Sequence, residues 1–372
     1  MSNDALLNRN HGIDLLRNIS MIMITVLHVL GHGGVLESVM PLSVKYGVVW
    51  FIELLAYCAV DVYAIISGYV GYGKDQRFSR LIQLQMQVLF YTLVTTLAFI
   101  ALDREAVSMR TVVSAIFPVA FNVYWYYTAY FCLFFFRPFI NLAVEKFPKD
   151  ILKRLLLFSF LIFSLLPTVL SSDYGMTVGG RSALWLFIMY TLGAYIRKYG
   201  VEETDRSQNK LLVGGYAGCV IVTWSSKLIL EYVTTIVFGK PFLGNYLLGY
   251  TSPAIVFAAI FLVLFFSRAK AGSKLIRISG FFSPLTFGVY LLQEEPLVRQ
   301  TFIYNKFCWI GESPTILIPF IVVGIAMTIW LVSSFVEKGR ILIFKKMKIP
   351  VLCAWLEKRL NMLLENLSIL KN

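Results

Sequence analysis

Ten stretches of about 20 residues, nearly free of charge and separated by short segments rich in Gly, Pro, Lys and Arg, constrain this chain more than any other feature. A run of that length crosses the hydrocarbon core of a bilayer as a helix, because a helix pairs its own backbone N–H and C=O groups where no water can. The runs lie at 13–31, 48–70, 84–102, 121–142, 155–170, 182–196, 211–232, 250–267, 281–298 and 314–336. Composition agrees: 58% of the 372 residues are hydrophobic and 15% are charged, against about a quarter charged in soluble domains. The expected fold class is all-α, a polytopic membrane protein of about ten transmembrane helices.

An even number of spans puts both termini on one side, and the cations say which. With the N-terminus inside, the inner segments hold 24 of the 34 Lys and Arg residues and the outer segments 7, while Arg17, Arg137 and Lys227 lie within spans. The positive-inside rule therefore places both ends in the cytoplasm. The same scatter of the +13 net charge between spans, with no single basic face, excludes nucleic acid as a partner. The first run has no small-residue cleavage site and reads as a retained anchor. In the seventh, Lys227 and Glu231 at i, i+4 either pair or mark an early exit.

No internal repeat or fused soluble domain is visible. The expected organisation is a cytoplasmic lead at 1–12, a membrane domain at 13–336 and a cytoplasmic tail at 337–372. In the tail, Lys345, Lys346 and Lys348 precede an apolar-periodic stretch from Val351 to Leu370, which suits an interfacial helix on anionic membrane lipids. The five cysteines show neither CxxC nor metal-like spacing, so neither a disulfide framework nor a zinc site is expected.

Charges inside spans are costly and face a cavity or a partner, so the search for chemistry begins with them. Arg17 and His28 stand on one face of the first helix, about 16 Å apart along its axis. A ~1.5 Å rise per residue from the inner end of each span puts His28, Glu53, Gln293, Glu294 and Glu295 toward the outer side, with Asp61 deeper at about 13 Å. A carboxylate on one nitrogen of His28 would set the tautomer and raise the basicity of the other, as a general base needs. Depth alone leaves open which carboxylate does so. His32 has an i+4 metal-binding spacing from His28, but no third ligand is apparent and no metal is expected.

On the inner side, Lys74, Arg77 and Arg80 follow the second span. Two arginines three apart at a helix start share a face and match the bidentate demands of phosphate on a cytoplasmic ligand. The plainer alternatives are that these are ordinary positive-inside residues and that Arg17 snorkels to the headgroups. The aromatic run Tyr124 to Tyr127 suits both a membrane interface and the stacking of sugar rings, with Trp125 and Tyr126 as the candidate platform.

Several of these features recur together in a known family. They are Arg17 and His28 within IDLLRNISMIMITVLHVLG, the sequence DVYAIISGY from Asp61 to Tyr69, and Arg77 with Arg80 behind it. Weaker echoes are the aromatic run leading to Arg137-Pro138-Phe139-Ile140-Asn141, a small-residue turn at Leu192-Gly193-Ala194, and FGVYLL from Phe287 to Leu292. Over nearly all of 13–336 the chain resembles the integral-membrane acyltransferases called acyltransferase family 3, many of which O-acetylate surface glycans.

The resemblance implies transfer of an acyl group, usually acetyl, from a cytoplasmic coenzyme A thioester to a hydroxyl on the outer side of a bacterial inner membrane. The acceptor would be a capsular polysaccharide, an exopolysaccharide or a related envelope glycan. Carried over residue by residue, Arg77 and Arg80, with Lys74 beside them, would hold the coenzyme A phosphates and Arg17 would line the passage. His28 would act at the reacting centre, as general base in preference to acyl carrier, with Glu53, Asp61, Trp125 and Tyr126 toward the acceptor. Acetyl-CoA is then a co-substrate, and no permanently bound cofactor is implied. Many relatives carry His where this chain has Gln293; an amide can donate to an oxyanion but cannot shuttle a proton, which makes Glu294 the candidate replacement. The rival reading is a transporter or glycan exporter, since ten spans with a few buried charges also fit a substrate pathway.

Overall fold

The computed structural model describes residues 9–200, 206–270 and 272–369; the first eight residues of the lead and Leu370 lie outside the described residues. The protein is an all-α, multi-pass membrane protein, with no strand among the described residues. The membrane helices are α1 (His11–His32), α2 (Val44–Tyr57), α3 (Ala59–Gly71), α4 (Phe78–Leu102), α5 (Trp125–Lys146) and α6 (Lys149–Leu170). They continue as α7 (Ala183–Tyr199), α8 (Arg206–Phe238), α9 (Pro253–Arg268), α10 (Ser273–Glu294) and α11 (Ile318–Lys346), with α12 (Ile349–Ile369) as the tail. Each apolar run of the sequence falls on a helix, α2 and α3 together making one span that is interrupted at Cys58. Among the described residues eight spans are long and apolar enough to cross a membrane, whereas α7 and α9 have only 17 and 16 residues.

Those two short helices are central. Trp185, Tyr190 and Ala194 of α7 and Ala258, Ala259 and Val263 of α9 are at most 1% exposed, in one core cluster with Val62, Ile65 and Ile66 of α3. The segment Leu192-Gly193-Ala194, which reads as a turn in the sequence, lies within α7 and is a helix crossing. A Cβ on Gly193 would lie 2.0 Å from the carbonyl oxygen of Ile65, and one on Gly68 would lie 1.9 Å from that of Tyr190. Glycine at both positions lets α3 and α7 touch backbone to backbone, the close approach that drives helix association in lipid.

Buried charges settle two boundaries. Lys227 and Glu231 pair at 2.8 Å, Tyr46 of α2 donates to the same carboxylate oxygen at 2.8 Å, and α8 continues without an exit to Phe238. The charges at Glu337 and Arg340 look like the end of the last span, yet they also pair inside the protein. Glu337 accepts from Tyr91 of α4 at 2.8 Å and from Arg340 Nε at 2.9 Å, so α11 runs on to Lys346. Beyond it, α12 buries Cys353 against Ile82, Met86 and Phe90 of α4 and leaves Val351, Leu352 and Trp355 exposed.

Substituting Gly193 by Val should overpack the α3–α7 crossing and cost about 1–3 kcal/mol. Gly214→Ala, where nothing lies within 4 Å of the added methyl group, should leave stability unchanged or slightly raised. Thermal unfolding in detergent, with each variant compared with the parent chain, checks both.

Candidate active site

The outer end of α1 departs from α-helical geometry where its histidines are. Residues His28–His32 form a π turn, closed by a bond from Gly33 N to His28 O at 2.8 Å, and such turns inside α-helices concentrate at functional sites. The turn brings the two imidazoles together, with ring centroids 5.3 Å apart. Opposite them α10 stops at Glu294, because Glu295 takes a non-helical backbone and Pro296 begins the next short helix. Three successive polar residues therefore face three different environments.

A chain of hydrogen bonds fixes His28. The Thr25 hydroxyl donates to Met21 O at 2.9 Å, so its oxygen can only accept from Gln293 Nε2, at 3.1 Å. That turns Gln293 Oε1 toward His28 Nδ1, 3.0 Å away, and makes Nδ1 the donor. Nε2 is left to face Glu294 Oε1 at 2.9 Å. Glu294 is held from its other oxygen by Arg299 at 2.8 Å, and His32 Nε2 lies 3.5 Å from Oε1. The carboxylate thus sits at the catalytic-type nitrogen, and the group that sets the tautomer is the amide of Gln293. The expectation that a carboxylate sets it, with Gln293 facing an oxyanion, differs because both residues pack on the same ring.

His28, His32 and Glu294 also supply a third ligand that the sequence does not reveal: their ligand atoms lie within 4.8 Å of one another. Arg299 already provides Glu294 with the positive charge that a cation would bring.

His28 and Glu294 line a cavity of about 320 Å³, with Glu53, Tyr57, Trp125, Tyr126, Arg181, Tyr250 and Arg299 among its walls. A second cavity, about 260 Å³, is lined by Arg17, Ser67, Tyr130, Ser283 and Thr286. The two share Tyr63, Tyr126 and Phe287 as a common wall. Arg17 is placed there by α10, donating to Ser283 Oγ at 3.2 Å, with Asp14 3.9 Å away. One face of α1 therefore carries Arg17 in one chamber and His28 in the next.

A model of an acyltransferase domain matches residues 10–337. The chain belongs to acyltransferase family 3. Neither a curated protein nor a solved structure matches it.

The remaining candidates of this membrane acyltransferase fall into two groups. Glu53 lines the His28 cavity, is 6% exposed, and has one carboxylate oxygen, Oε2, without a hydrogen-bond partner. Trp125 and Tyr126 line the same cavity, and Tyr126 N donates to the Tyr290 hydroxyl at 3.3 Å. Asp61, in contrast, is fully buried, accepts from Trp185 Nε1 at 2.8 Å, and lines neither chamber. Glu295 caps the following turn, accepting from Val298 N at 2.9 Å. Arg77 and Arg80 are exposed at the start of α4 and line neither chamber. Burial, followed by the fields of Arg80, Arg17, Arg197 and Arg137, depresses the Lys74 ammonium below its ordinary range.

Sequence reasoning missed Arg299, Arg181, Tyr57, Tyr250 and Phe287. For the arginines a signal existed: both are among the few cations on the outer side, kept there against the positive-inside bias. Arg181 ends a loop organised by Asp173, whose Oδ1 accepts from Thr177 N at 2.9 Å and from the Thr177 hydroxyl at 2.6 Å, and whose Oδ2 accepts from Gly179 N at 3.2 Å. Burial pushes the Asp173 carboxyl up, but these bonds outweigh it and hold it below the ordinary carboxylate range.

A depressed folded-state value means that the loop's stabilisation is complete above the ordinary carboxylate range and is lost only as pH falls through the lower value. Amide exchange at Thr177 and Gly179 should therefore stay protected into mild acid, and Asp173→Asn should lose that protection at neutral pH. Gln293→Leu should leave His28 Nδ1–H without a partner at a cost of about 1–3 kcal/mol. It should lower kcat for acyl transfer by ~10-fold or more, with KM for the acyl donor unchanged, in steady-state kinetics.

Proposed function

We propose that the protein is an O-acyltransferase that moves acetyl from cytoplasmic acetyl-CoA to a hydroxyl of a cell-surface or capsular polysaccharide on the outer side of a bacterial inner membrane. The observation that carries this reading is the pair of chambers on one face of α1, Arg17 in the first and His28 in the second. Their separation along the helix, about 16 Å, is comparable with the reach of an extended pantetheine arm. The nucleotide can then remain among Lys74, Arg77 and Arg80 while the thioester arrives beside His28.

In the reaction, the proton that His28 Nε2 shares with Glu294 Oε1 in the closed site is first released to solvent, and Nε2 then takes the proton of the acceptor hydroxyl as its oxygen attacks the thioester carbonyl. The new C–O bond forms, the C–S bond breaks, and the imidazolium returns the proton to the departing thiolate. Gln293 keeps Nδ1 protonated throughout, so only Nε2 exchanges a proton. Glu294, neutralised on its far oxygen by Arg299, stabilises the imidazolium that forms between the two steps. Glu53, in the wall of the same cavity, accepts a second hydroxyl of the acceptor. The wall of Tyr63, Tyr126 and Phe287 that the two cavities share separates them into chambers, as transfer between a donor side and an acceptor side would require.

His28→Ala should reduce transfer by ~10²–10⁴-fold with the chain still inserted. Replacing Arg77 and Arg80 by Ala should raise KM for acetyl-CoA far more than KM for the acceptor; the reverse would leave them as topology signals. Base-labile acetate on surface glycans, compared between cells with the intact gene, a deletion and His28→Ala, is the direct test. Loss in both altered strains supports the assignment. Unchanged acetate, with less glycan surfacing only in the deletion, would establish the exporter reading instead.

A further inference from the structure

Arg181 is the cation of the His28 cavity that has no work in the mechanism above. It stands at the outer mouth, where Arg299 is already paired with Glu294 at 2.8 Å. Among the described residues Arg181 makes no ion pair and no side-chain hydrogen bond. Its backbone position is nevertheless closely built. Three successive residues before it, Val178, Gly179 and Gly180, have φ of 53°, 60° and 93°, a conformation that a β-branched residue such as Val178 adopts only when its surroundings impose it. Asp173 imposes it from one side. On the other, a Cβ at Gly180 would come within 2.5 Å of Tyr250 Cβ, so the loop is seated directly on that aromatic wall.

The surroundings describe what the guanidinium would meet. Tyr57 and Tyr250 line the same cavity with ring centroids 5.1 Å apart and planes 33° from one another. Glu53 also lines the cavity and is 6% exposed, with its Oε2 buried and without a donor. An aromatic wall, one buried hydrogen-bond acceptor and one planar cation without an ion pair among the described residues line a single cavity. Rings take the apolar face of a sugar, a carboxylate oxygen takes a hydroxyl, and a guanidinium takes a carboxylate in bidentate fashion.

Resting on the acyl-transfer reading, we propose that the acceptor is an acidic sugar, and that Arg181 selects it by pairing with its carboxylate at the outer mouth of the cavity. Asp173 is a positioning residue for Arg181. The carboxylate belongs to the acceptor and not to the acyl group, because Arg181 lies on the outer loop between α6 and α7 while the donor enters from the chamber of Arg17.

The test uses the full chain in lipid nanodiscs with acetyl-CoA and two acceptor probes: oligoglucuronate and the same oligosaccharide after reduction of its carboxyl groups. The parent chain should acetylate the acidic probe with kcat/KM at least 10-fold above the neutral one. Arg181→Gln should raise KM for the acidic probe about 10-fold, leave kcat within 2-fold, and leave the neutral probe and the KM for acetyl-CoA unchanged. Asp173→Asn should move the same KM in the same direction by less. Equal loss on both probes, no preference in the parent chain, or an effect confined to acetyl-CoA would each overturn the role of Arg181. Binding gives a readout that does not depend on turnover: oligoglucuronate should raise the melting temperature of the parent and of His28→Ala, but not of Arg181→Gln. Absence of His28-dependent transfer to either probe, with that melting shift intact, would count against acyl transfer alone. Absence of both would remove the acidic acceptor as well.

Discussion

Inside a bilayer a polar side chain has no water to fall back on; in this protein buried hydroxyls such as Ser20, Thr191 and Ser334 turn to their own helix, while several charged and amide groups are answered from another. The most consequential answer is the one α10 gives to α1. Asn18 reaches Ser279 O at 3.0 Å, Arg17 reaches Ser283, Gln293 ties Thr25 to His28, and Glu294 closes on the far side of the same imidazole. These bonds occur at successive turns along both helices, so the register of α1 against α10 and the setting of His28 are one event. The same logic recurs away from the site, where Glu337 joins α11 to α4 and Glu231 joins α8 to α2.

How much of this could be read beforehand follows from the range of each interaction. The spans were legible because bilayer thickness acts on contiguous residues, and Arg17 and His28 were legible together because helical periodicity relates positions within one segment. The partner of His28 was not, since Gln293 and Glu294 lie more than 260 residues away and their depth matches that of Glu53 and Glu295 equally well. Charges were the least reliable punctuation. Lys227, Glu231, Glu337 and Arg340 look like exits from the membrane, but each is neutralised by a neighbour one turn away and stays inside. Asp61 stands out in the sequence as strongly as Glu53, but Trp185 binds one of its oxygens and the packing of α3 on α7 turns it away from either cavity.

Gln293 shows how a departure from a family pattern can be absorbed by its neighbours. Where a second imidazole would exchange protons, the amide holds one orientation, fixed by a threonine hydroxyl whose own proton is committed to the backbone. Arg299 completes the arrangement by leaving Glu294 one oxygen to spare.

The wall of Tyr63, Tyr126 and Phe287 between the two chambers has a bioenergetic consequence. An energised membrane stores energy as a potential, and each elementary charge that crosses it dissipates about 2.3 kcal/mol per 100 mV. A water-filled path from the cationic inner end to His28 would turn a protonatable ring into a relay for that current. Three aromatic rings shared as a wall by the two cavities interrupt such a path, so this membrane protein can keep a protonatable ring in its interior without opening a leak through it.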